Sequence, residues 1–261
     1  MLSIAERHKY ILDLLNTHGF VRVTDLAERL GMTKVTIRND LKMLEGKGML
    51  YRMHGSASKA NPHVSDVNVK VKGQLNSEKK RLIGLEAARH ILEDDSVIIG
   101  SGSTVEAFAA VLKPVRHLNV VTLSLRVSML LCEQENIDVL QLGGNVNHNS
   151  LSVRGDYSAS GLANLVCSKL FIGVDGLDLE YGVTASTVEE ATLTQKMMQV
   201  ASQVVVLADS SKFGKRGFGR IGSLEDIDML VTDAGIPEHF KTALEDAGVD
   251  VRVVAGERPF A

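Results

Sequence analysis

Between residue 77 and residue 254 the chain alternates short apolar runs (97–99, 120–123, 139–142, 162–166, 170–174, 204–208, 229–232, 251–254) with amphipathic stretches such as 105–112, 127–132, 188–201 and 239–247. A strand that recurs after each helical stretch has to be reached by a crossover. The pattern therefore predicts a mainly parallel sheet with helices on both faces, an α/β fold. Such a sheet is buried on both sides, and 261 residues, 44% of them hydrophobic, supply the apolar matter for it. Disordered and fibrous classes are excluded. No run approaches the roughly 20 uncharged apolar residues of a membrane helix, and Glu6 and Arg7 interrupt the stretch that a signal peptide would keep apolar. A soluble, cytoplasmic protein with no membrane partner is expected. Cys132 and Cys167 lack any C-x-x-C pattern, so both are expected to be small buried hydrophobes and not disulfide or zinc partners.

The first 60 residues do not share this pattern. They hold 10 Lys+Arg against 6 Asp+Glu, whereas the remainder holds 19 against 26. That asymmetry sets a basic head, suited to a polyanion, ahead of an acidic body. Tyr10, Ile11, Leu14 and Leu15 recur at helical spacing up to Gly19. Thr24 is placed to cap a second helix that ends at Gly31, and Thr33 to cap a third. Two helices joined by such a turn make a helix-turn-helix unit, and residues 49–56 then read as the strand and turn of a wing. On the third helix, Ile37, Leu41 and Leu44 fall on one stripe, with Lys34, Val35, Arg38, Asn39 and Lys42 opposite. Long basic chains suit phosphates and guanine, an amide suits adenine, and a small apolar group suits a thymine methyl. Lysines and arginines on a helix are by themselves an ordinary solvated face. The capped helix ahead and the strand with Arg52 and His54 behind favour a DNA reader. From residue 58 to 76 the periodicity fails, and a linker with one short extended piece is expected.

Thr33-Lys-Val-Thr-Ile-Arg-Asn-Asp-Leu41, with Leu26-Ala-Glu-Arg-Leu30 ahead and Tyr51-Arg-Met-His-Gly55 behind, closely resembles the DeoR family of bacterial transcriptional regulators. Ser56 stands where the family's wing has a second glycine, a change expected to alter the wing slightly without removing DNA binding. The resemblance continues through Gly100-Ser-Gly-Ser-Thr104, Val121-Thr-Leu-Ser124, Leu142-Gly-Gly144, Phe171-Ile-Gly-Val-Asp-Gly176, Gly182-Val-Thr184, Ala208-Asp-Ser-Ser-Lys-Phe-Gly214 and Ile227-Asp-Met-Leu-Val-Thr-Asp233, and covers about residues 4 to 255. It implies a winged helix-turn-helix domain in residues 1–57, a linker in 58–76 and a sugar-phosphate-sensing α/β domain in 77–255. The DNA-facing residues it implies are Thr33, Lys34, Val35, Thr36, Arg38, Asn39, Lys42, Arg52 and His54. Leu123 departs from the family's usual Asn, which implies a different hold on any ligand there.

In the body, Gly100, Ser101, Gly102, Ser103 and Thr104 lie between a strand and a helix, where backbone N–H groups and hydroxyls can cradle an anion. A tight βα turn also uses Gly and Ser. Two further strand ends, carrying Asp175-Gly176 and Lys212, raise the functional share, because ligands of open α/β sheets bind outside the carboxyl ends of strands. With Glu189 as a hydroxyl acceptor, these make the candidate effector site. The body also resembles ribose-5-phosphate isomerase through the same segments and the acidic pair Glu189-Glu190, and this supplies the rival reading of an isomerase with a carboxylate base. A DNA-reading head argues against catalysis as the main function. A dinucleotide enzyme would need a third glycine where Val105 stands. Met43, Met49, Met53, Met197 and Met198 are expected to be core filler, and the eight histidines show no metal spacing. No catalytic residue, metal or cofactor is expected. The reading is a repressor of a carbohydrate-utilisation operon, controlled by a phosphorylated sugar or polyol. One head reads few base pairs, so a homo-oligomer, dimer or tetramer, on double-stranded operator DNA is expected.

Overall fold

The structure is a computed structural model that describes residues 3–18, 20–53, 55–58, 67–114 and 116–255. Gly19, His54, residues 59–66 of the expected linker and the side chain of Met53 lie outside the described part. The chain divides into two compact units, residues 1–63 and 64–261.

In the first unit, α1 (Ile4–His18), β1 (Phe20–Arg22), α2 (Val23–Leu30) and α3 (Lys34–Gly46) precede β2 (Tyr51–Met53) and β3 (Ser56–Ser58). The strands form an antiparallel sheet in the order β1-β3-β2. Ile11, Leu15, Leu26, Ile37, Leu41, Leu44 and Leu50 fill the core between them. At roughly 1.5–3 kcal/mol for each large apolar side chain withdrawn from water, this stripe decides which way α3 faces. Gly31 closes α2 in the left-handed conformation (φ 62°), and the Thr33 hydroxyl caps α3 by accepting the Thr36 N–H at 3.1 Å. Thr24 does not cap α2: the helix starts two residues earlier than such a cap would set it, at Val23, with Arg22 in the cap position, and the Thr24 hydroxyl donates to Asp25. Ser56 is buried in β3, opposite Arg22 and Met53, while Gly55 makes the turn. Met43 and Met49 are half exposed, not core: Met43 falls off the Ile37–Leu41–Leu44 stripe, and Met49 lies in the bend that follows α3.

The second unit runs α4 (Val69–Gln74), α5 (Ser77–Ala88), β4 (Ser96–Ile99), α6 (Ser103–Val111), β5 (Leu118–Thr122), α7 (Leu125–Leu131), β6 (Ile137–Gln141), β7 (Asn145–Asn147), β8 (Ser152–Arg154), α8 (Asp156–Leu162), β9 (Cys167–Gly173), β10 (Gly176–Asp178), β11 (Gly182–Ala185), α9 (Val188–Gln199), β12 (Ala201–Leu207), β13 (Gly219–Gly222), β14 (Met229–Asp233), α10 (Glu238–Asp246) and β15 (Asp250–Val254). Seven strands form one wholly parallel sheet in the order β15-β14-β12-β9-β4-β5-β6. Successive residues enter opposite layers. Ile99, Phe171, Val205 and Val231 pack with Phe108 and Ile83 on one face, and Ile98, Leu170, Val206 and Leu230 on the other. This double burial is why these strands read as unbroken apolar runs. A small antiparallel sheet, β10-β11-β13, follows the carboxyl end of β9. In the 58–76 stretch the expected extended piece is instead the helix α4, capped by the Asn68 side chain. Cys167 is buried as expected, but Cys132 is exposed, at the end of the short α7. No described helix is long and apolar enough to cross a membrane.

Candidate functional sites: a basic helix face and a charged cleft

On the face of α3 away from its core stripe, Lys34, Val35, Arg38, Asn39 and Lys42 are all exposed, and Val35, at 62%, presents an unusually bare apolar group. Thr33 and Thr36 are tied to each other, hydroxyl to hydroxyl, at 2.9 Å. Arg52 is already engaged: its backbone N–H and Nε both donate to Glu45 of α3, at 2.9 and 2.7 Å. It therefore fastens the wing strand to the helix, and its pairing holds the Glu45 carboxyl below its usual range. The buried side of α3 carries a charge that periodicity did not reveal. Asp40 accepts from Arg7 Nε at 2.8 Å and Nη2 at 3.0 Å, with His8 Nε2 at 3.3 Å, so α1 and α3 are joined through a largely dry carboxylate.

In the second unit the carboxyl ends of the central strands surround an open cleft. Ser101, Gly102, Ser103 and Thr104 line it from the β4–α6 turn, Asp175 from the end of β9, and Lys212 from the single 3-10 turn after β12. Gly102 stands at the cap position of α6 with φ 108° and no side-chain cap, so the first-turn amides of this nine-residue helix lack intrahelical acceptors. Asp175 is buried; its Oδ1 accepts from Lys72 Nζ at 2.7 Å and its Oδ2 from the Ser186 N–H at 2.9 Å. Burial alone would raise this carboxyl, but the Lys72 charge and hydrogen bond, the Lys212 charge and the Ser186 N–H outweigh it and hold the group ionised. Lys212 is the converse. Burial pushes its ammonium below the ordinary lysine value, Asp175 and Asp209 offset this only in part, and it donates to no described side chain or backbone group.

Three candidates stand elsewhere. Glu189 is exposed and Glu190 lines the cleft instead, because neighbours on a helix point about 100° apart and only one of them can face inward. Gly100 is structural, its N–H donating to the Phe171 carbonyl at 2.9 Å across the sheet. Gly176 is absent from the cleft lining, and a Cβ on it would meet the Lys215 carbonyl at 2.3 Å. Conversely, sequence reasoning missed Lys72, Ser150 and Ser186, which also line the cleft. Leu123 is buried in the wall of a small adjoining hollow, together with Leu193 and Met197, and this hollow shares Ser101, Ser150 and Glu190 with the cleft.

The DeoR-like helix-turn-helix domain matches residues 7–62, and the DeoR C-terminal sensor domain matches residues 75–234. The chain belongs to the DeoR family. Its similarity to other DeoR-family regulators runs nearly end to end. It is 34% identical to the lactose phosphotransferase system repressor of Streptococcus mutans, over 87% of this chain and 91% of that one. It is 32% identical to the HTH-type transcriptional repressor GlcR of Bacillus subtilis, over 95% of each. Among solved structures, ribose-5-phosphate isomerase A of Neisseria gonorrhoeae is similar with a TM-score of 0.40 and 20% identity, over 52% of this chain and 53% of that one. In this DeoR chain the first domain match contains the whole basic face of α3, and the second contains the cleft residues from Ser101 to Lys212 but not Lys72.

Proposed function

We propose that this DeoR-family chain is a cytoplasmic transcriptional repressor of a carbohydrate-utilisation operon, released from or fixed to operator DNA by a phosphorylated sugar or polyol. Residues 1–57 read double-stranded DNA through Lys34, Val35, Arg38, Asn39 and Lys42, and the reading also takes in Thr33, Thr36, Arg52 and His54. Residues 77–255 sense the ligand, and the protein works as a homo-oligomer, since one head spans too short a site. The observation that carries the ligand class is Lys212, a cation drawn into the cleft with no hydrogen-bond partner among the described residues, beside the open first turn of α6. An anion with several oxygens would satisfy both at once, by helix-terminus amides and a charge-assisted bond. Asp175 and Glu190 then serve as acceptors for ligand hydroxyls.

The test is a thermal-shift screen of the full chain against ribose 5-phosphate, glucose 6-phosphate, fructose 6-phosphate, sorbitol 6-phosphate and their unphosphorylated parents. A ligand that binds only the folded state raises stability by mass action, and only phosphorylated members are expected to do so. Shifts by the parent sugars alone would place phosphate outside the site. Two carboxylates lining one cleft, Asp175 and Glu190, suit the isomerase reading, and it is met by incubating the protein with ribose 5-phosphate. The sugar is expected back unchanged, and catalytic appearance of a ketose would make the protein an enzyme.

A further inference from the structure

The helix α4 has six residues, of which only Val69 is fully buried. A helix of this length does not hold itself together in water. Its place depends on a few polar bonds: the Val69 N–H to the Asn149 carbonyl at 2.7 Å, Lys72 Nζ to Asp175 at 2.7 Å, and the buried Lys80 ammonium, which donates to the Lys72 and Leu75 carbonyls at 2.5 and 2.7 Å. Lys80 caps the far end of α4 on the body, whereas Lys72 reaches into the cleft itself. The Lys72–Asp175 pair is mostly removed from solvent, with side-chain exposures of 19% and 10%. Resting on the function proposed above, we infer that Lys72 is a ligand-binding residue, that it exchanges Asp175 for the anionic group of the ligand, and that α4 is thereby the element that registers occupancy of the cleft.

Charge and valence support the exchange. Lys72 uses one of its three donors on Asp175, and Lys212 uses none on any described group. A phosphomonoester entering beside Ser103 and Thr104 carries close to two negative charges and three terminal oxygens, one each for the α6 amides, Lys212 and Lys72. A carboxylate has two oxygens and one charge and leaves one of the three donors unmet. Asp175, losing Lys72, keeps the Ser186 N–H and accepts a hydroxyl from the carbon chain. The ligand class is therefore a phosphomonoester with a free hydroxyl on the same chain, in preference to a sugar acid. A ligand that gathers α4, α6 and the Lys212 turn onto one phosphate draws α4 more firmly onto the body. Because α4 is the first helix of the second unit, it is the part of that unit nearest along the chain to the DNA-binding unit.

Hydrogen–deuterium exchange on the full chain reads this without knowledge of an operator. The probes are ribose 5-phosphate, fructose 6-phosphate and sorbitol 6-phosphate, each at saturation, with gluconate as the carboxylate control. With a phosphorylated probe, exchange is expected to slow in residues 67–76 as well as 100–106. In Lys72→Met the slowing at 100–106 remains, that at 67–76 disappears, and probe affinity falls about tenfold, while Lys72→Arg restores both. Protection at 100–106 with no change at 67–76 in the parent would sink the role of α4 while leaving the proposed ligand class standing. Parent-like affinity and protection in Lys72→Met would remove Lys72 from the site. No protection at 100–106 with any probe would overturn the phosphate site and this inference together. Asp175→Asn, which loses the ion pair with little change of shape, gives a check free of ligand. It is expected to speed exchange at 67–76, and unchanged exchange there would show that the pair does not hold α4.

Discussion

Single residues divide the two tasks. Arg38 and Lys42 lie on the same exposed face of α3, yet their substitution separates two kinds of contact. Arg38→Ala is expected to cost roughly 1–3 kcal/mol on operator DNA and to relax sequence preference, whereas Lys42→Ala weakens binding to all DNA alike and lowers the salt slope by about one. Gel-shift titrations at several salt concentrations separate them, and equal losses on operator and random DNA for Arg38→Ala would reassign it to a phosphate. In the cleft, Lys212 gives a pH signature. Its proton is lost at a lower pH than an ordinary lysine's, because burial disfavours the ammonium. Phosphate binds strongly only the charged form. Above the second phosphate pKa of about 6, where the ligand's own charge no longer changes, affinity is expected to be full below the depressed lysine value and to fall as pH rises through it. Calorimetric titration of ribose 5-phosphate across this range checks the sign, and Lys212→Arg, which stays charged, should flatten the curve. Pairings such as Lys72 with Asp175, 103 positions apart, leave no local mark in a sequence, so the β4–α6 turn that lines the cleft was legible and the lysine that reaches the cleft from α4 was not.

At the scale of elements, legibility followed burial. β4, β9, β12 and β14 announced themselves as apolar runs because the sheet covers both their faces. The three-residue strands β7, β8 and β10 are too short to carry a period, and α4 is six residues inside the stretch where the periodicity fails, so it carries no helical pattern either. The helix appears where Asn68 can cap it and Lys80 can close it, two contacts that pattern reading does not weigh. The orientation of α3 depends likewise on something outside its apolar stripe. Asp40 is a nearly dry carboxylate held by Arg7 and His8 of α1, and removing it breaks a buried ion pair and its two arginine hydrogen bonds. Asp40→Ala is expected to destabilise the first unit by about 3–5 kcal/mol. The loss should appear in denaturant unfolding of the full chain followed by far-ultraviolet dichroism. A loss under 1 kcal/mol would mean that the apolar stripe alone sets the angle between the helices.

The whole molecule consists of two units with separate cores, Ile11 to Ala57 in one and Ile83 to Val254 in the other. Scanning calorimetry of the full chain is therefore expected to show two transitions. A cleft ligand at a hundred times its dissociation constant should raise only the transition of residues 64–261, by about 2.7 kcal/mol. Asp40→Ala should lower only the other. A single transition that both treatments move would show that the units unfold together. The strand order β9-β4-β5 has a consequence for how the chain is made. β4, at residues 96–99, stays without its central neighbour until residues 167–173 have been synthesised, while the first unit is complete by residue 63. At a translation rate of about 5–20 residues per second, roughly 5–20 s separate those events. Each newborn chain thus carries a finished helix-turn-helix unit for several seconds before the sheet that builds its cleft can close, so that unit has to fold and stay folded on its own core, with no help from the second.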